Sequence, residues 1–186
     1  MEDQKIIQLY WDRDEGAIPA TADKYGGYCA SIAHSILSDP QDAEECVNDT
    51  WLAAWNAMPP HRPAQLSTFL GKLTRNLSFN RWKARRADKR GGGQLPMVLD
   101  ELGECVSGRE DVEGEVDRKE LARAIGRFLS ALPRRSREVF VRRYWHCDSI
   151  AAIARRYGRT EGSVAMDLSR TRGKLKTYLT ERGFDL

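Results

Sequence analysis

A single glycine between two short helical patterns constrains this chain most. Over residues 149–157, Ile150, Ile153, Ala154 and Tyr157 recur three, four and seven positions apart, the spacing of one helix face. Gly158 follows as a C-cap, because glycine enters the left-handed region at little steric cost. Thr160 is placed to N-cap a second helix, its hydroxyl accepting from an orphan N–H two or three residues on. That second helix carries Val164, Leu168, Thr171 and Leu175 on its inner face. A helix, a short turn with glycine and a longer helix make a helix-turn-helix, whose second helix enters the major groove of DNA. An ordinary helical hairpin has the same pattern, so charge has to separate the two. From Arg134 to Lys176 there are twelve Lys/Arg and four Asp/Glu, the balance of a phosphate-binding surface. The outer face of the second helix offers Ser163, Met166, Ser169, Arg170 and Lys174. Arg170 can take a guanine edge bidentately or a phosphate, and the sequence leaves both open.

Upstream the chain is also helical in pattern. Ile6, Ile7, Leu9 and Tyr10 predict a short first helix, and residues 16–22 read as a loop or a frayed helix. Tyr25, Tyr28, Cys29, Ile32, Ala33 and Ile36 form a stripe over residues 24–37. Asp39-Pro40 reads as an N-cap followed by proline at the first helical position, opening a helix over residues 41–58. Pro59-Pro60-His61-Arg62-Pro63 is a stiff loop. The next helix, near residues 64–87, has an inner stripe of Leu66, Phe69, Leu70, Leu73, Leu77 and Trp82, with Phe69 read as core. Its other face is Lys72, Arg75, Asn76, Asn80, Arg81 and Lys83. Seven basic residues between Arg75 and Arg90, interleaved with aromatics, favour a surface that holds phosphates and stacks on unpaired bases. Two further stripes follow, Leu121 to Leu129 and Val139 to Tyr144, ahead of the helix-turn-helix. No segment alternates like a strand, so the expected fold class is all-α.

The net charge of +3 conceals segregation. Residues 1–71 hold four basic and eleven acidic side chains, residues 72–90 eight and one, residues 91–116 one and seven, residues 117–186 seventeen and eight. The acidic third block, opened by Gly91-Gly92-Gly93, reads as a flexible linker with a short helix around Met97 to Leu102. The organisation expected is therefore a helical domain over 1–90, a linker over 91–116 and a second helical domain over 117–186.

Other function classes find little support. No apolar run approaches the roughly 20 residues of a membrane span, and the acidic start lacks a signal-peptide pattern, so a cytoplasmic protein without membrane insertion is expected. Four scattered cysteines without a CxxC pair are expected to be free thiols, with no metal and no cofactor. No carboxylate pair stands beside a metal-ligand histidine, and Gly91–Gly93 lacks the Lys-Ser/Thr of a phosphate loop, so an enzyme is not expected. A helix-turn-helix DNA-binding regulator acting on its own remains the alternative; it explains residues 132–179 but not residues 42–86.

Those segments together resemble the sigma-70 family of bacterial RNA polymerase sigma factors, in its small extracytoplasmic-function group. DAEECVNDTWLAAW (Asp42–Trp55) is similar to the family's regions 2.1–2.2, and FLGKLTRNLSFNRWKARR (Phe69–Arg86) to regions 2.3–2.4. LPRRSREVFVRRYW followed by SIAAIARRYGRTEGSVAMDLSRTRGKL is similar to regions 4.1–4.2. The resemblance implies two partners, core RNA polymerase (its β′ clamp helices and β flap) and promoter DNA, with an anti-sigma factor as a third candidate. It places Glu45, Asn48, Asp49 and Trp55 against the polymerase clamp. It places Arg75, Asn76, Asn80, Arg81 and Lys83 on the −10 element. It places Ser163, Ala165, Met166, Ser169 and Arg170 on the −35 element, with Arg143 on a phosphate. Asn80 stands where many members have Asp, Asn48 where many have Gln, and Phe69 where Trp is common. Ala165 and Met166 leave the outer face of the recognition helix small and uncharged.

Overall fold

The computed structural model describes residues 1–86, 95–103 and 115–184. Among these residues every regular element is an α-helix, nine in all. They fall into two compact units, Met1–Gly93 and Gln94–Leu186. No helix among the described residues is long and apolar enough to cross a membrane.

The first unit contains α1 (Asp3–Trp11), α2 (Ala17–Ile36), α3 (Pro40–Ala57) and α4 (Leu66–Arg86). Helices α2, α3 and α4 pack on one another and α1 closes against α2. The interior is built from Ile6, Ile7, Tyr10, Cys29, Trp51, Ala54, Met58, Leu66 and Leu70. The start of α3 follows the local chemistry: the Asp39 carboxylate accepts from the backbone N–H groups of Gln41 and Asp42 at 2.9 and 3.1 Å, and Pro40 takes the first helical position. Helix α2 begins earlier than its apolar stripe indicates. Asp14 Oδ1 accepts from Gly16 N at 2.7 Å, and Pro19 sits in the first turn, where a missing N–H costs no helical hydrogen bond. The first turn is then fixed from outside the helix, because the buried Thr21 hydroxyl lies 2.9 Å from the Tyr10 hydroxyl.

Helix α4 is rotated from the expected stripe. Its buried positions are Leu66, Leu70, Gly71, Thr74, Ser78 and Trp82, whereas Phe69, Leu73 and Leu77 are half-buried. The seam is lined with small residues because α4 packs against both α2 and α3. The hydroxyls of Thr50 and Thr74 meet at 3.2 Å, and each lies within hydrogen-bonding reach of the carbonyl four residues back, so burial leaves neither unsatisfied. A Cβ at Gly71 would collide with the Tyr28 hydroxyl, which fixes glycine at that crossing.

The second unit contains α5 (Leu95–Gly103), α6 (Glu115–Ala131), α7 (Arg134–Tyr144), α8 (Ile150–Tyr157) and α9 (Glu161–Thr180). Helices α6, α7 and α8 all pack on α9, and α5 packs on α7. This changes the reading of the acidic block. Residues 95–103 of the expected linker form a helix that belongs to the second unit, anchored by the buried Val98. The rest of that block falls on residues 91–94 and 104–114, which lie outside the described residues, and on residues 115–116, which open α6.

Candidate functional site

The helix-turn-helix is formed by α8 and α9, with Gly158 and Thr160 capping as expected and Ser149 adding a cap that the sequence pattern does not single out. Ser149 Oγ accepts from Ala152 N at 3.1 Å to open α8, Gly158 closes it at φ +60°, and Thr160 Oγ1 accepts from Ser163 N at 3.2 Å to open α9. Ile153 and Ala154 of α8 and Val164, Leu168, Thr171, Leu175 and Leu179 of α9 are buried. The turn carries a residue that the motif does not single out. The Arg159 guanidinium donates to Asp167 Oδ2 at 2.8 Å, to the Ser163 carbonyl at 3.0 Å and to Ser163 Oγ at 2.9 Å. Asp167 in turn accepts from the Ser136 hydroxyl of α7 at 3.1 Å. Arg159 thus pins the first two turns of α9, and its only sequence signal was a basic residue between a helix C-cap and an N-cap.

The residues expected on the −35 element separate into groups. Met166, Ser169 and Arg170 are exposed on α9 and Ala165 is half-buried beside them. Ser163 is exposed, but its hydroxyl is held by Arg159. Arg143 is not on the surface at all. It is fully buried, donating to Glu101 at 2.6 and 3.1 Å and to the Asp148 carbonyl at 2.8 Å. The expected phosphate contact is therefore corrected: the guanidinium has no exposed surface, and these donations are turned into the unit. Glu101 also accepts from the Tyr144 hydroxyl at 2.9 Å, and Arg172 donates to that hydroxyl at 2.8 Å. Burial by itself raises the Glu101 carboxyl, but the hydrogen bonds from Arg143 and Tyr144 outweigh it and hold the group below its ordinary value. Burial pushes the Tyr144 phenol up.

On the first unit, α3 exposes Glu45, Asn48 and Asp49, with Leu52 a large exposed apolar side chain one turn on. Trp55 is half-buried and already engaged, edge-on to Tyr10 at 6.2 Å and beneath the Arg13 guanidinium at 5.3 Å. On α4, Asn76, Asn80 and Lys83 are exposed, and the Arg75 guanidinium lies 4.6 Å over the Phe79 ring. Arg81 reaches back to α3, 2.7 Å from Glu45 and 3.6 Å from both Asp42 and Asp49. Residues expected to face different partners are thus one ionic cluster, with Arg85 also paired to Asp42.

The first unit also carries a groove of about 470 Å³ lined by His61, Pro63, Phe69, Lys72, Leu73 and Asn76. The rings of His61 and Phe69 lie 5.2 Å apart with a 30° tilt. Phe69 packs against the core, as its helical spacing predicts, but it is only half-buried and also lines this groove. The groove is large enough for a nucleobase and combines a stacking surface with an amide and an ammonium.

Comparison with known proteins gives a consistent result. Residues 22–87 match the family model for Sigma-70 region 2, and residues 122–175 match that for Sigma-70, region 4. The two matches together take in well over half of the chain. The chain is 25% identical over 153 residues to "Probable RNA polymerase sigma factor RfaY" of Xanthomonas campestris pv. campestris, covering 82% of this chain and 38% of that protein. The chain thus spans well under half the length of this relative. A solved structure of CnrH in complex with the cytosolic domain of CnrY is similar over 96% of this chain and 97% of that chain, at 21% identity and a TM-score of 0.43.

Proposed function

Because the chain belongs to the sigma-70 family, with the region 4 of its extracytoplasmic-function type, we propose that it binds core RNA polymerase and directs promoter-specific transcription initiation. The observation that carries this reading is the order of the two matched regions, region 2 ahead of region 4, each on its own compact unit. A helix-turn-helix alone accounts for DNA binding. It does not account for a second basic and aromatic helix or for the acidic face of α3.

In this reading the exposed Glu45, Asn48, Asp49 and Leu52 of α3 dock on the clamp helices of the polymerase β′ subunit, with the second unit on the β flap. The α4 face with Arg75, Asn76, Asn80 and Lys83 receives the −10 strand, and the His61–Phe69 groove captures a base taken out of the stack. Unstacking a base costs a few kcal/mol per step, so a stacking pocket is what makes an open complex affordable. Helix α9 reads the −35 element through its exposed face. Joining two weak modules in one chain raises the effective concentration of each for its half of the promoter.

The test is transcription of fragmented genomic DNA by purified core polymerase, with and without this protein, mapping RNA 5′ ends. New starts that share upstream motifs near −10 and −35 are expected. Sequence-specific DNA binding without polymerase, and no new starts, would instead make the protein a stand-alone regulator.

A further inference from the structure

We propose that Met166 is a specificity-determining residue that packs against the C5 methyl group of a thymine in the −35 element, an inference that rests on the function proposed above. Met166 is 55% exposed, a large apolar side chain on the outward face of α9. Its apolar relatives on the same helix, Val164, Leu168, Leu175 and Leu179, are all buried. More than half of its surface is thus left uncovered among the described residues. Ala165 beside it and Ser169 one turn on are too short to compete for the same space.

The polar groups nearest in sequence are already committed. The Asp167 carboxylate faces Arg159 and Ser136, and the Ser163 hydroxyl faces Arg159. The central turn of this helix therefore presents an apolar end where a base-reading helix usually presents donors and acceptors. Arg170, one turn further on, and Lys174 after it are exposed and basic, so the same face is suited to DNA. In the major groove the distinctive apolar feature of the base edges is the thymine methyl group, and apolar side chains read it. An unbranched, polarizable thioether adapts to such a contact with little loss of fit. Small neighbours without charge leave the methyl contact as the source of selectivity at that base pair.

The experiment uses the full chain with core polymerase on a promoter whose −10 and −35 elements have been mapped. Each thymine of the −35 element is replaced in turn by uracil, which removes the methyl group and keeps every hydrogen-bonding atom. At one position the change is expected to lower initiation about fourfold, the worth of one buried methyl group. Met166→Ala should lower initiation on the thymine promoter by a similar factor and become indifferent to uracil there, while Met166→Leu keeps the preference. Placing 5-methylcytosine opposite guanine at that position should recover activity relative to cytosine. The inference is overturned if no thymine-to-uracil change matters while other base changes in the element do, if the element has no thymine, or if the uracil effect persists in Met166→Ala. A protein that shows no dependence on −35 sequence at all fails earlier, at the proposed function, and the two failures are distinct.

Discussion

Glu101 holds both ends of the Arg143 guanidinium, Oε1 at 2.6 Å from Nη2 and Oε2 at 3.1 Å from Nε, forty-two residues apart in sequence. Arg143 has no exposed surface and the Glu101 side chain keeps 19% of its own. A buried charge of this kind needs its counter-ion more than the pair needs to exist. Replacing both partners with apolar groups can be neutral, whereas removing one strands a charge in low dielectric. Glu101→Ala is therefore expected to destabilise the second unit by about 3–5 kcal/mol. The double variant Glu101→Ala/Arg143→Met should recover much of that loss. Thermal and denaturant unfolding of the full chain would show this, and an unchanged midpoint for Glu101→Ala would remove the pair from the stability of the unit.

The same carboxylate makes the second unit sensitive to acid. Its value in the folded state lies below the ordinary 4.5, so the unfolded chain takes up the proton first as pH falls. The contribution of Glu101 is fully present above about pH 4.5 and is lost as pH falls through the lowered folded value. Glu101→Gln should give a flatter stability profile between about pH 6 and pH 3 than the parent chain. Parallel profiles would show that other carboxylates govern the acid response.

Gly71 and Tyr28 give a test with a change of sign. Glycine inside a helix costs about 1 kcal/mol against alanine, but a Cβ at residue 71 meets the Tyr28 ring and hydroxyl. Gly71→Ala should destabilise the first unit in the parent chain and stabilise it by up to about 1 kcal/mol in a Tyr28→Ala background. A double-mutant cycle in urea reads both. Equal effects in the two backgrounds would mean that the contact does not limit the site.

The groove lined by His61 and Phe69 predicts a defect in DNA opening alone. Phe69→Ala should weaken capture of an unpaired base by about 1–3 kcal/mol, with affinity for core polymerase unchanged. A fluorescent base analogue in the −10 element reports opening directly. A variant that opens DNA normally would assign the groove to something other than a base.

Arg170→Ala should reduce −35-dependent initiation by about 1–3 kcal/mol if the guanidinium reads a base edge. The loss would then be concentrated at one position of the element. An equal loss across all −35 variants, with a shallower salt dependence, would make Arg170 a phosphate contact.

Features encoded within a few residues were legible in the sequence. Gly158 and Thr160 cap α8 and α9 as expected, and Asp39-Pro40 opens α3, because capping is chemistry between near neighbours. The first turn of α2 was not legible. It lacks an apolar stripe and is ordered by Thr21 against Tyr10, eleven residues away and in another helix. Arg143 reads as one more cation in a basic run, since nothing near it reveals a carboxylate placed in an acidic stretch far upstream. Arg81 escapes in the same way, its partners Glu45 and Asp49 lying on the preceding helix. Phe69 falls on an apolar helical stripe, yet α4 is turned so that Thr74 and Ser78 are buried instead. Helical periodicity fixes which residues share a face, but the rotation of that face is set by packing with two other helices.

The placement of α5 bears on how such proteins can be recombined. A chimera joined at residue 116, where the basic block begins, would import a reading head whose buried arginine has left its acid behind on the donor. Transplanting the head intact means beginning the graft ahead of Leu95, so that the short acidic helix travels with the fold it neutralises.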